Sequence, residues 1–432
     1  MVAALVAALV ATFAARAQDA PLQDRGPWLQ EQLATAVDGA VIDVPPGEYW
    51  GPFVIERTVH LRGGGRATLR GDKATHVVAV RAPDVVIEGF TLRDSGLDLG
   101  KDHAAIHVTA PRAVIRDNRI VHSLHGVYVR QADDVRVEGN TIIGQATIVE
   151  KVDPATLRPT PGAGELCEIG LDQNRRGNAL HFWNSSGHVI ARNVVRDTRD
   201  GVYFSFVDRS EVRENDIARV RYGLHYMYSD ENHFAGNVFH ENAAGAALMF
   251  SKGIVLEHNR FMANRSHRAY GILFQSVDDT EVRGNRITGN TVGLFIDGGH
   301  ENRLTGNRIA ANHVGVRVSD SADANAFAGN TFAGNLHTVE TTGGRASSRW
   351  SDDGRGNHWD NAMRLDLDRD GVGDLPHREL DVFGPLRRSF PAVGLLIGSP
   401  GERLLRFVHT RIALPGMHGV TDPARLTEAT HP

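Results

Sequence analysis

From about Ala40 the chain alternates short apolar runs with Gly, Pro and Asn, and within each run apolar and polar side chains follow the two-residue period of a strand. Val41-Ile42-Asp43-Val44, Phe53-Val54-Ile55 and Val59-His60-Leu61 are examples, closed by a Pro-Pro-Gly turn or by Gly63-Gly64-Gly65. Farther on, the runs repeat at a fixed distance. Gly223 and Gly245 are 22 residues apart, and so are Asn237 and Asn259. The Asn positions Asn118, Asn140, Asn193, Asn215, Asn237, Asn259, Asn285, Asn307 and Asn330 keep steps of 22 to 26, apart from one step of 53. Short strands at a constant period define a solenoid. The pattern predicts an all-β, right-handed parallel β-helix of roughly a dozen coils stacked ~4.8 Å apart. Asn is expected to take the left-handed turn and to hydrogen-bond from coil to coil, with Gly where a bend leaves no room for a Cβ.

The pattern changes at the ends and once in the middle. Trp28, Leu29, Leu33 and Val37 have near-helical spacing and predict a short amphipathic cap within residues 18–39. The β-helix is expected over residues 40–344. The step of 53 between Asn140 and Asn193 equals two coils plus nine residues, so one coil is read as replaced or interrupted by a loop over about 145–176. That loop carries Cys167, the single cysteine, which excludes an internal disulfide. Residues 345–390 form a Trp/Asp-rich capping segment. Residues 391–432 hold a Leu-rich helix around Leu404, Leu405, Phe407, Val408 and Ile412, then a polar tail expected to be loose from Pro415. The first 17 residues, an apolar run ending in Ala15-Arg16-Ala17, predict a cleaved export leader rather than a membrane span.

Strand alternation assigns Val127, Val129, Val202, Phe204, Leu224, Tyr226, Leu248, Ile272, Phe274, Leu294, Ile296, Val316 and Val318 to the interior. Their outward neighbours are Tyr128 and Arg130, His181 and Trp183, Tyr203 and Ser205, His225 and Met227, Met249, Leu273 and Gln275, Phe295 and Asp297. The ends of this row are charged, but its middle is apolar and sulfur-containing, where a solenoid wall should be wet. Met227 and Met249 share a column of adjacent coils, and His225 is two residues from Met227. Two readings stand: a soft-metal site for copper(I) formed by Met227, Met249 and His225 with His181 and Trp183 on the same row, or plain filling under the loop or a partner.

Composition narrows the chemistry. A formal net charge of −5 without a basic stripe argues against a nucleic-acid partner. His103, His107, His122 and His125 form a second metal candidate, with His103 and His125 placed in one column. Asp366, Asp368, Asp370 and Asp374 with Gly371 follow the spacing of a calcium loop, although His377 stands where a full loop would carry Glu; calcium and a bare acidic turn both remain open. A carbohydrate-active β-helix enzyme, such as a uronate epimerase, lyase or hydrolase, would want paired outward carboxylates, and only Asp297 qualifies.

Several stretches are more specific. These are Asp200-Gly201-Val202-Tyr203-Phe204, Arg221-Tyr222-Gly223-Leu224-His225-Tyr226-Met227-Tyr228-Ser229 and Gly245-Ala246-Ala247-Leu248-Met249-Phe250-Ser251. Val292-Gly293-Leu294-Phe295-Ile296-Asp297-Gly298, Trp350-Ser351-Asp352 and Gly356-Asn357-His358-Trp359 complete the set. With them the chain resembles the NosD family, periplasmic β-helix proteins of nitrous oxide reductase maturation. The resemblance implies a non-enzymatic role in copper delivery with an ABC transporter (an ATPase and a membrane subunit). It also implies a copper chaperone lipoprotein and the reductase as partners; segment 391–412 then suits docking on the membrane subunit and, equally, an ordinary C-terminal cap.

Overall fold

The computed structural model describes residues 25–152, 165–266, 269–342, 347–380 and 419–429, with 399–401, 404 and 408. It divides into two compact units, Met1–Arg221 and Tyr222–Pro432. Each is a parallel β-solenoid. The expected leader lies outside the described residues, as does most of the Leu-rich segment 391–412. No helix among the described residues is long and apolar enough to cross a membrane.

In the first unit the helix Arg25–Thr35 packs Leu29 and Leu33 inward. Its Gln30 side chain donates to Val54 O (3.1 Å) and accepts from Val54 N (2.9 Å), pairing an edge that stacking leaves open. Val37, expected on the apolar face, lies beyond the helix and is exposed. One wall is then built from Phe53–Ile55, Val78–Val80, Ala104–Val108, His125–Arg130, Leu180–Ser186 and Asp200–Asp208, all paired in parallel.

The long step is not two coils. Val127 pairs directly with Leu180, and Asn140 N donates to Asn193 Oδ1 at 3.0 Å, so 53 residues make a single coil. Against the ordinary step of 22 the excess is 31 residues, and within this stretch Thr147–Val152 pairs antiparallel with Glu165–Gly170. Cys167 is in its returning strand, opposite Glu150.

In the second unit the corresponding wall is Tyr222–Met227, Ala244–Lys252, Tyr270–Asp278, Val292–Asp297, Val314–Ser319 and His337–Thr342. Leu224, Tyr226, Leu248, Ile272, Phe274, Leu294, Ile296, Val316 and Val318 are fully buried, as alternation requires. Tyr226 is satisfied inside because its hydroxyl donates to Ser229 O and accepts from Asn232 Nδ2. Gly245 has no alternative: a Cβ there would lie 2.4 Å from Gly271 O of the next coil.

The Asn ladder runs Asn237, Asn259, Asn285, Asn307, Asn330, Asn357, each amide accepting from the backbone N–H of the one before. The left-handed turn falls elsewhere than expected. Positive φ belongs to the residue before each of the first five, Gly236, His258, Gly284, Gly306 and Gly329, so Asn is there for its amide and not for its backbone. The ladder ends on Asp422, which accepts from Asn357 N (2.7 Å) and Trp359 Nε1 (2.8 Å) and is fully buried. Residues 419–429, expected to be loose, are therefore tied down: Gly419–Asp422 pairs with His377–Leu380, and the buried Arg425 donates to Leu375 O at 2.9 Å.

Candidate functional site

The outer wall of the second unit carries the soft donors. Met227 and Met249 are register partners on adjacent strands, and both side chains are half-buried on the outward face. His225 precedes Met227 by two residues, is also half-buried, and stands opposite Ala247, whose side chain is a single methyl. Its ring contacts Tyr222 at 5.0 Å between centroids. The column continues as Gln275 and Asp297, so donors change from thioether to amide to carboxylate along the stack. Met262 belongs to a different wall, opposite His240.

In the first unit the outward column is a chain of rings. His76 stacks on His107 (4.2 Å), His107 meets Tyr128 (5.3 Å), and Tyr128 meets His181 (4.5 Å). His181 in turn meets Tyr203 at 4.4 Å. Trp183 has the Arg130 guanidinium over its ring at 5.2 Å, which puts a fixed cation on the face expected to meet copper. His103 and His125 do not share a column: His125 pairs with Ala104, because this coil steps by 21 between Ile106 and Val127. His122 is exposed, with Nδ1 3.1 Å from Arg93, apart from the other histidines.

These histidines serve the fold. His76 Nδ1 accepts from Ala104 N (3.1 Å) and His125 Nδ1 from Asn178 N (2.9 Å), which leaves the neutral proton on Nε2 in both. Burial holds His76, His107, His125 and His188 down at about 4, against the usual 6.5. Burial also pushes the Tyr128 phenol up to about 12, with Asp102 adding to the effect. The sign of the linkage follows: unfolded histidine takes up a proton near 6.5 and the folded one only near 4, so stability falls as pH drops between these values. Urea midpoints should hold from pH 7.5 to about 6.5 and fall from there to pH 5, by up to about 1.4 kcal/mol per pH unit for each of the fully buried His125 and His188 and by less for the partly buried His76 and His107. A flat profile over that range would refute the buried, neutral assignment.

Among the described residues, one group of three acidic or histidine side chains converges closely enough to hold an ion: Asp366, Asp368 and Asp370, with oxygens within 4.8 Å of one another. Asp366 Oδ1 is buried without a hydrogen bond. Asp374 is not in this group; its Oδ2 accepts from Leu367 N at 2.7 Å and closes the loop instead.

Fold and side chains together define a parallel β-helix protein whose outer wall carries two register-paired thioethers beside an imidazole. The chain belongs to the NosD family. A Stutzerimonas stutzeri relative named probable ABC transporter binding protein NosD is 31% identical over 396 residues, covering 88% of this chain and 85% of the relative. One of the same name from Pseudomonas aeruginosa is 31% identical over 392 residues, covering 87% and 85%. The family model described as periplasmic copper-binding protein (NosD) matches residues 165–363. Similar solved structures include the A-module of the Azotobacter vinelandii mannuronan C-5 epimerase AlgE6 (TM-score 0.50, 13% identity, 77% of this chain and 97% of that one). The surface adhesin PfbA of Streptococcus pneumoniae is another (TM-score 0.51, 12% identity, 79% and 89%). An epimerase and an adhesin at such identity share the fold alone.

Proposed function

We propose that this protein is a periplasmic accessory protein that accepts copper(I) on the outer wall of its second unit. With an ABC transporter, it delivers the ion for the copper centre of nitrous oxide reductase. The observation that carries the reading is the register pairing of Met227 with Met249, with His225 two residues away, all outward and half-buried. Two thioethers and an imidazole suit a soft monovalent ion, and a ligand set of modest affinity suits cargo that must be released. The family description and the relatives' names support copper, the periplasm and a transporter. Residues 1–17 would act as the export leader, a lipoprotein chaperone as donor and the reductase as acceptor. An accessory role rather than catalysis fits the outward carboxylates of this wall: Asp297 has no acidic partner in its column, and Glu340 is paired with Arg317 at 2.8 Å. The test is an anaerobic copper(I) titration, followed by transfer to copper-free reductase with transporter and ATP. Binding of copper(I) no stronger than that of an unrelated β-helix would end the proposal.

We also propose calcium at Asp366, Asp368 and Asp370, where a hard cation would meet the unpaired oxygen of Asp366. Thr427 donates to Gly371 O, tying this loop to the C-terminal residues, so added calcium should raise the melting temperature by several degrees. Asp368→Asn should remove the shift; a shift that survives it places the ion elsewhere.

A further inference from the structure

Strand alternation would send Tyr228 and Phe250 inward, since each follows an outward methionine. The backbone overrules it. Both residues have positive φ, 50° and 52°, and both rings are on the surface, 48% and 42% exposed. They stack with centroids 5.2 Å apart and planes 13° from parallel. Because a left-handed residue turns the chain at this corner, two successive side chains of each coil leave outward: methionine, then ring.

The corner itself does not need the rings. Ser229 Oγ donates to Met227 O and Ser251 Oγ to Met249 O, both at 2.8 Å, and Ser229 N donates to Ser251 Oγ at 3.0 Å. This conformation disfavours any L side chain and is easiest for Gly or Asn. The next two coils, in register with the methionines, put Ser276 after Gln275 and Gly298 after Asp297, again at positive φ. Along these four coils of the second unit the corner is aromatic where a thioether precedes it and small where an amide or carboxylate does, whereas in the first unit Phe206, at positive φ and exposed, follows Ser205.

We propose that Tyr228 and Phe250 form an aromatic wall of the copper(I) site, an inference that rests on the reading above. Each ring directly follows its methionine in the chain; in this wall the rings would offer π faces to the cation and hold water and oxidants away from sulfur. The reaction they would slow is oxygen transfer from a peroxide: the O–O bond breaks, an S=O bond forms, sulfur loses two electrons, and the peroxide leaves as water or alcohol. The sulfoxide presents a hard oxygen that copper(I) disfavours.

The test is Tyr228→Asn with Phe250→Asn, because Asn suits the left-handed corner and the melting temperature should hold or rise. Copper(I) affinity should drop about tenfold. Peroxide oxidation of Met227 and Met249, read by peptide mass spectrometry, should quicken several-fold, with Met363, 67% exposed, unchanged as reference. Tyr228→Phe should preserve both properties. Unchanged affinity and oxidation in the double Asn variant would overturn the wall, as would a sharp fall in melting temperature, which would make the rings structural. Loss of binding on replacing Met227 and Met249 keeps the site itself standing in either case. Binding that survives their removal defeats the site and the wall together.

Discussion

Replacing Met227 and Met249 together by Ala should lower copper(I) affinity by roughly 100-fold, about 2.8 kcal/mol at tenfold per 1.4 kcal/mol. The fold should survive. Both side chains are half-buried on the outer wall and make no part of the interior, so truncation opens no cavity, unlike a change at Leu248 or Phe274. Each single substitution should cost less than the pair, since the remaining thioether and His225 can still hold a two-coordinate ion. Competition against a chromophoric copper(I) chelator under reducing, oxygen-free conditions reads the effect directly. An affinity within twofold of the parent protein would remove the thioether pair from the proposal.

Asn285→Ala should destabilise the second unit by about 2–4 kcal/mol. Asn285 is fully buried. Its Oδ1 accepts from Asn259 N (2.8 Å) and Asn259 Nδ2 (3.1 Å), and its Nδ2 donates to Leu256 O (2.8 Å) and Asn307 Oδ1 (3.0 Å). Truncation leaves the Asn259 backbone N–H unpaired where water does not reach, which costs roughly 1–3 kcal/mol, and removes a hydrogen bond from each of the Leu256 carbonyl and the amides of Asn259 and Asn307. Asn285→Asp should be nearly as harmful, because a carboxylate keeps the acceptor and loses both donors. The urea midpoint of the second unit is the measure. A loss below 1 kcal/mol would mean that the ladder is ornamental and that apolar stacking alone holds the coils.

The candidate site was largely legible in the chain. Met227 and Met249 share a column because Gly and Asn recur every 22 residues, and alternation places both on one face. Alternation by itself does not foresee the outward turn of Tyr228 and Phe250. Their only signal was position: a bulky residue at the corner where neighbouring coils place Ser276 and Gly298. The histidines misled for the opposite reason. His103 and His125 look aligned when counted back from Asn, yet the coil between them steps by 21, and one residue of slip changes every partner.

Periodicity alone determined the parallel β-helix, the inward column from Leu224 to Val318, and the outward thioether pair, because each depends on distances counted along one chain with a two-residue side-chain period. Tertiary structure decided what depends on dihedral angles and on hydrogen bonds between distant coils. Asn140 bonds to Asn193 across 53 residues and turns an apparent coil into a hairpin. The left-handed corners fall one residue ahead of the Asn ladder and directly after the methionines. Asp422 closes that ladder from 65 residues beyond Asn357. No local pattern encodes such partners, since a buried amide is satisfied by whichever group the stacked coils bring within reach.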